Sequence, residues 1–219
     1  MSARAGNSSH AALTPHLLKR WRDVPAAIIA DVSGGACLID AAIRPLKPAG
    51  QQPRLFGRAV TALCRPPDFG AVLRALDLVK PGDVLVIDAQ GNSANAMIGG
   101  ILGGFLHRKG SAGIVCDGAV RDVAELAAFD GFAVYSRSIT PRGPTAWSEG
   151  EAGGTVTIGD RIVQNGDLVI GDDDGLVCLN GDEALALISK AEDKLALESK
   201  WIAELKSGRS VAQVFHLDP

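Results

Sequence analysis

No block of lysine and arginine stands out in this 219-residue chain, whose formal net charge is −3. Binding nucleic acid by neutralising phosphates is therefore not expected. No apolar run is long enough to span a bilayer: the longest, Ala96 to Leu106, holds four glycines. No membrane role is expected. The opening "MSARAGNSSHAA" has no apolar core of signal-peptide type, which predicts a loose tail over 1–13. The four cysteines (Cys37, Cys64, Cys116 and Cys178) form no C-x-x-C and no zinc-spaced pair with histidine. Three of them sit in apolar runs as small buried hydrophobes, consistent with a reducing cytoplasm. No Ser-His-Asp, H-E-x-x-H or G-x-S-x-G arrangement is present, and no G-x-G-x-x-G nucleotide fingerprint.

What is present is a large apolar fraction, 47%, enough for a core. Thr14-Pro15 predicts a capped helix over "HLLKRWRDV". "AAIIADV" is a short apolar segment, and the Pro/Gly-rich stretch to Arg54 is mostly loop. "LFGRAVTALCR" predicts a strand, and the spacing of Phe69, Val72, Leu73, Leu76 and Val79 predicts a helix. "VLVID" follows as a buried strand, "AQGNSANA" as a polar loop, and "AMIGGILGGFLHRKG" as a helix ending at Gly110. "AGIVCD" predicts a strand broken at Asp117-Gly118. "RDVAELAAF" is then a helix and "AVYSRSI" a strand. After Gly153 the Gly-Asp turns predict antiparallel strands, and 182–205 a long amphipathic helix. The tail 206–219 is peripheral. Alternating strands and helices argue for a partly parallel sheet covered by helices, with no linker dividing 1–219 into domains.

Four glycines within six residues, Gly99, Gly100, Gly103 and Gly104, each cost a helix about 0.5–1 kcal/mol. Either the helix packs closely on a neighbour, or its first N–H groups face an anion. Arg121-Asp122 poses a second choice. Asp122 is a helix cap or first-turn acid, or else the pair binds a ligand. In the second case the arginine fork grips a carboxylate or keto oxygen, and the aspartate holds a hard divalent cation. The run Asp172 to Asp174 lacks EF-hand spacing and predicts a solvated turn.

Taken together, "DAAIRPL", "LVKPGDVLVID", the glycines opening a helix, "GIVCDGAVRDVAEL", "ITPRGP" and "GDLVIGDDDGLV" resemble the RraA-like family. That family includes class II 4-hydroxy-4-methyl-2-oxoglutarate aldolases with oxaloacetate decarboxylase activity, and regulators of ribonuclease E. Its members have also been labelled menaquinone methyltransferases, but no nucleotide loop of that type follows the first strand here. The resemblance implies a layered α/β/α, swivelling-type domain with a mixed central sheet and a long C-terminal helix. It implies a cytoplasmic lyase that cleaves a 2-keto acid to pyruvate with Mg²⁺ or Mn²⁺. Arg121 would bind substrate and Asp122 the metal, both as catalytic residues. Gly99, Gly100, Ile101 and Leu102 would offer the amide cradle. Homotrimers or hexamers with interfacial sites are also implied, with Glu192 or Glu198 reaching a neighbouring subunit's site. One departure stands out. The aldolases carry an acidic residue where this chain has Gly100, so the pattern here is G-x20-R-D-x2-E, closing on Glu125. This resembles the variant associated with RraA-type proteins, and the alternative it implies is a non-catalytic regulator that binds a ribonuclease.

Overall fold

The computed structural model describes residues 10–217. Thr14 accepts a hydrogen bond from the Leu17 N–H at 3.2 Å and Pro15 takes the first helical position, which starts α1 (Pro15–Trp21) as expected. The apolar segment after Pro25 is a helix, α2 (Ala26–Ser33), ended by Gly34 in the left-handed region. Short β1 (Arg44–Pro45), β2 (Leu55–Leu63) and α3 (Gly70–Leu78) follow.

β3 (Val84–Ile98) departs from expectation, because the polar stretch "AQGNSANA" lies inside the strand. Its pairing partners are the residues of β4 (Gly113–Val120). Val84 to Asp88 pair in register with Gly113 to Asp117, and contact then resumes at Asn92 opposite Gly118, Ala96 opposite Ala119 and Ile98 opposite Val120. The chain bulges outward at Gln90 and Gly91, both at positive φ, and returns to the ladder. Asp117-Gly118 likewise does not break its strand. Asp117 is buried but satisfied, with Arg137 Nε donating to it at 2.5 Å and the Gly159 N–H at 2.6 Å. A Cβ on Gly118 would lie 2.6 Å from that of Ala89, so close approach of β3 accounts for this glycine.

The helix after β3 is shorter than its apolar run suggests: α4 (Gly100–Arg108) begins at the glycines, since Ala96 to Ile98 are still strand. α5 (Val123–Ala128) and β5 (Ala133–Ile139) complete the alternating half. The antiparallel half contains β6 (Glu151–Ala152), β7 (Thr155–Ile158), β8 (Arg161–Gln164), β9 (Leu168–Asp172) and β10 (Gly175–Leu179). Asn180 and Glu183 form a reciprocal capping box that opens the long α6 (Gly181–Lys206). α7 (Val211–Phe215) folds back on α6, where the Phe215 and Trp201 rings lie 4.8 Å apart.

The main sheet runs β1-β5-β4-β3-β2-β9-β10, with β6 also on β2. β2, β3, β4 and β5 are mutually parallel and the outer pairings antiparallel, so the sheet is mixed. Alternation along β3 sends Leu85 and Ile87 to the face covered by α3, α4 and α5, and Val84 and Val86 to the face under the β7–β8 hairpin. α1, α2 and α6 pack on the β9–β10 wing around Trp21, Ile29 and Ile188. Trp21 is fully buried, and its Nε1 donates to the Ala184 carbonyl at 3.1 Å. Burying each such large side chain contributes about 1.5–3 kcal/mol. The result is a mixed α/β fold with a long C-terminal helix.

Of the tail expected over 1–13, residues 1–9 lie outside the described residues. Residues 10–13 are not loose. Leu13 is buried, and Asp182 accepts from the Ala11 N–H at 2.9 Å and contacts His10 Nδ1 at 2.8 Å. The Asp182 carboxylate at the start of α6 thus serves as an anchor. Among the described residues no helix is long and apolar enough to cross a membrane.

Candidate functional site

Parallel strands β3 and β4 end side by side, and each leads directly into a helix. The ladder extends one step past β4, where the Arg121 N–H donates to the Ile98 carbonyl at 3.1 Å. Gly99 and Gly100 at the start of α4 therefore face Arg121 and Asp122 at the start of α5. In the sequence these residues lie in two stretches joined only by the G-x20-R-D-x2-E pattern, and the fold sets them side by side.

Asp122 occupies the N-cap position of α5 at φ 54, uncommon for a non-glycine residue. Its carboxylate does not cap its own helix. Oδ2 instead accepts from the Gly100 N–H of α4 at 3.0 Å. Arg121 Nε lies 3.6 Å from the same oxygen, and both side chains are about half exposed. With Gly100 engaged, and the Gly103 N–H bonded to the Gly99 carbonyl at 2.9 Å, the first-turn N–H groups of Ile101 and Leu102 are left without an acceptor among the described residues.

The glycines of the cluster meet different neighbours at different positions. A Cβ on Gly103 would lie 2.3 Å from Leu126 Cδ2, so this glycine serves the close packing of α4 on α5. A Cβ on Gly99 would lie 2.5 Å from Asp122 Oδ2 and 2.8 Å from Arg121 Cγ. A Cβ on Gly100 would lie 1.9 Å from Glu125 Oε2. The space that an acidic side chain at position 100 would enter is already filled by the Glu125 carboxylate, reaching across from α5.

A pocket of about 210 Å³ opens at this junction, small for a ligand site and of metabolite size. Arg121, Asp122, Gly99, Ile101 and Leu102 line it, together with Phe69, Leu73 and Pro144. The last three were missed as site residues. Phe69 and Leu73 were legible only as part of a helix face, and Pro144 only through the "ITPRGP" segment. That segment forms a flap tied to β3, with the Ala96 N–H donating to the Arg142 carbonyl and Asn95 Nδ2 to the Gly143 carbonyl, each at 2.8 Å. A Cβ on Gly143 would lie 2.5 Å from a terminal nitrogen of Arg121, so a side chain there would make the guanidinium shift. Asp68 secures the other side, accepting from the Gly70 and Ser148 N–H groups at 2.8 Å. Burial pushes its carboxyl up, but these N–H donors outweigh that and hold it below the usual range. A larger cleft of about 440 Å³, bordered by Ala26, Leu38 and Asp174, shares no lining residue with this pocket.

Asp122 and Glu125 are the candidates for holding a divalent metal. Both present hard oxygen donors at Gly100, and Mg²⁺ commonly uses one or two carboxylates and fills its other positions with water and substrate. The donor set thus fits Mg²⁺ or Mn²⁺. Among the described residues no three His, Cys, Asp or Glu side chains gather into a closed cage. The aspartate run ends β9 at Asp172 and turns at Asp173-Asp174, as expected: Asp172 accepts from the Ala26 N–H at 2.8 Å and Asp173 from the Gly50 N–H at 2.9 Å. Glu192 is engaged by Arg20, and Glu198 lies 3.5 Å from Lys194. Neither lines this chain's own pocket. All four cysteines are buried and free, and burial pushes the Cys64 thiol up to about 12, far from an active thiolate.

The RraA-like family model, described as Aldolase/RraA, matches residues 26–178. A Halalkalibacterium halodurans protein named "Putative 4-hydroxy-4-methyl-2-oxoglutarate aldolase" is 30% identical over 179 residues, covering 82% of this chain and 83% of that protein. An uncharacterized protein from Pseudomonas syringae superposes with a TM-score of 0.81 at 22% identity, over 94% of this chain and 98% of its own. Streptomyces coelicolor RraAS2, described as an unusual member of the RNase ES inhibitor RraA protein family, gives 0.74 at 25% identity, over 88% of this chain and 98% of its own. The matched stretch runs from α2 to β10 and carries every element around Arg121 and Asp122, so the chain belongs to the RraA-like family.

Proposed function

We propose that the chain is a divalent-metal-dependent lyase that cleaves a carbon–carbon bond of a 2-keto acid and releases pyruvate. The observation that carries this reading is the convergence, on one small pocket, of a guanidinium with unspent donors, the Asp122 carboxylate and the open first turn of α4, with the Glu125 carboxylate behind them at Gly100. An inhibitor acting through protein contact alone leaves that convergence without a task. The relatives named as aldolases support the same reading.

The substrate's carboxylate would meet the Ile101 and Leu102 N–H groups at the positive end of α4. Arg121 would direct its terminal N–H groups at the keto oxygen, where negative charge grows as the bond breaks, and its fixed donors would stabilise the enolate. Asp122 would be held ready by the Gly100 N–H, and Glu125 would supply the carboxylate that position 100 lacks. A divalent cation bound by these two residues would add Lewis-acid polarisation of the keto group. No lysine is required, since no Schiff base forms. The exposed apolar side chain of Ile101 at the pocket, 79% exposed, supports burial against a neighbouring subunit in a trimer or hexamer.

The test is pyruvate release from 4-hydroxy-4-methyl-2-oxoglutarate, oxaloacetate and related 4-hydroxy-2-keto acids. Turnover should vanish with EDTA and return with Mg²⁺ or Mn²⁺. Turnover that persists without metal would overturn the mechanism.

A further inference from the structure

The pocket is polar on one side only. Facing Arg121 and Asp122, its wall is built from Phe69, Leu73, Ile101, Leu102 and Pro144. This wall is held in place. Phe69, Leu73 and Leu102 pack against the buried core under α3 and α4. The Phe69 N–H donates to the Ala146 carbonyl at 3.0 Å, and Pro144 follows the flap residues tied to β3. Among the described residues, Arg121 is the one cation lining the pocket.

A keto acid whose own carboxylate and keto oxygen engage the first turn of α4, Arg121 and the metal therefore leaves no cationic side chain of the pocket for a further anionic group. Whatever its fourth carbon carries lies against the apolar wall. A second carboxylate there loses water without gaining a counter-charge. An alkyl group there is removed from water with a gain. Resting on the reading of the site as a keto-acid lyase, we propose that it prefers 4-hydroxy-2-keto acids with an alkyl substituent on carbon 4 over dicarboxylates. In the pyruvate–acetone aldol, 4-hydroxy-4-methyl-2-oxopentanoate, the C3–C4 bond breaks and its electron pair remains on C3 as the pyruvate enolate. The 4-hydroxyl gives up its proton as acetone forms, and C3 takes up one proton to give pyruvate. No oxidant or reductant is needed.

This compound differs from 4-hydroxy-4-methyl-2-oxoglutarate only by a methyl in place of the distal carboxylate, so the two form a matched pair. The experiment compares kcat/KM for both, counted per bond broken, with saturating Mn²⁺. The expected result is at least a tenfold preference for the alkyl compound, in the range a pocket achieves for one apolar group. Leu73→Arg, or Leu102→Lys if the first variant melts early, should shift the ratio at least tenfold towards the dicarboxylate. Equal use of the two, or preference for the dicarboxylate, in the unaltered protein overturns this inference and leaves the lyase reading standing. Cleavage of neither compound, nor of oxaloacetate, overturns the lyase reading itself and this inference with it.

Discussion

Two arginine–aspartate pairs lie along β4 and just past its end, and they are built differently. At Asp117 and Arg137 the ion pair is 2.5 Å long, the aspartate side chain is 6% exposed, and Arg137 also donates to Asp40 at 2.7 Å. Asp117's other oxygen takes the Gly159 N–H at 2.6 Å, which ties the β7–β8 hairpin to the sheet. At Arg121 and Asp122, four residues along the chain from the first aspartate, the contact is 3.6 Å and the side chains are 40% and 45% exposed. The first pair spends both aspartate oxygens, and two of the arginine's three nitrogens, on the protein. The second keeps donors and an acceptor facing a pocket. Charges that hold a fold together are satisfied, whereas charges that act on a ligand are positioned and left unspent.

The comparison breaks if the second pair proves structural. Arg121→Ala should lower kcat/KM for pyruvate release about 10²- to 10³-fold, while the urea midpoint reports a stability change within about 0.5 kcal/mol. Unfolding of this variant would place Arg121 with the structural pair. The mirror experiment is Asp117→Ala, which strands Arg137 and frees the Gly159 N–H. Chemical denaturation should show a loss of about 2–3 kcal/mol, and hydrogen exchange should quicken at Gly159. The surviving folded protein should still release pyruvate.

A third experiment sharpens the account of Gly100. Glu125→Ala should weaken Mn²⁺ binding, read by titration calorimetry, and reduce turnover about tenfold or more, a loss of roughly 1.4 kcal/mol or more. Adding Gly100→Asp to that variant should recover part of both, because the vacated space then accepts a carboxylate from α4. No recovery would mean that Glu125 acts from its own position and not as a replacement.

The smallest expected effect is that of pH on the structural pair. The Ala42 N–H and Arg137 hold the Asp40 carboxyl below its usual range. A carboxyl with a folded pKa below the unfolded value of about 3.9 adds stability above that value and loses it as pH falls through the folded pKa. Urea midpoints of the native protein and Asp40→Asn should therefore draw together as pH falls below about 4. A constant gap across that range would show that Asp40 contributes nothing through its charge.

Much of the order of elements was legible because it depends on local signals. Thr14-Pro15 starts a helix by satisfying its own first turn, the spacing of Phe69, Val72, Leu73, Leu76 and Val79 marks one helix face, and the amphipathic pattern over 182–205 marks the long helix. Two segments were misread for a shared reason. "AQGNSANA" and Asp117-Gly118 carry loop chemistry, yet both lie in strands. Their partners are distant in sequence: Asn92 sits opposite Gly118, and Asp117 rests on Arg137 and Gly159. A polar residue is read as exposed until the group that satisfies it is known.

By itself the sequence marked out the candidate residues of the site. The adjacent Arg121 and Asp122, the four glycines and the spacing back to Gly100 are all visible along the chain, and so is their resemblance to one family. Only the tertiary structure decided what those residues mean together. It divided the glycines between packing and site, placed the Glu125 carboxylate where a side chain at position 100 would stand, and set Phe69, Leu73 and Pro144 as the opposite wall. The reason is physical. Side-chain type is a property of one position, but the space a missing Cβ leaves, and what fills it, depends on how closely two helices approach.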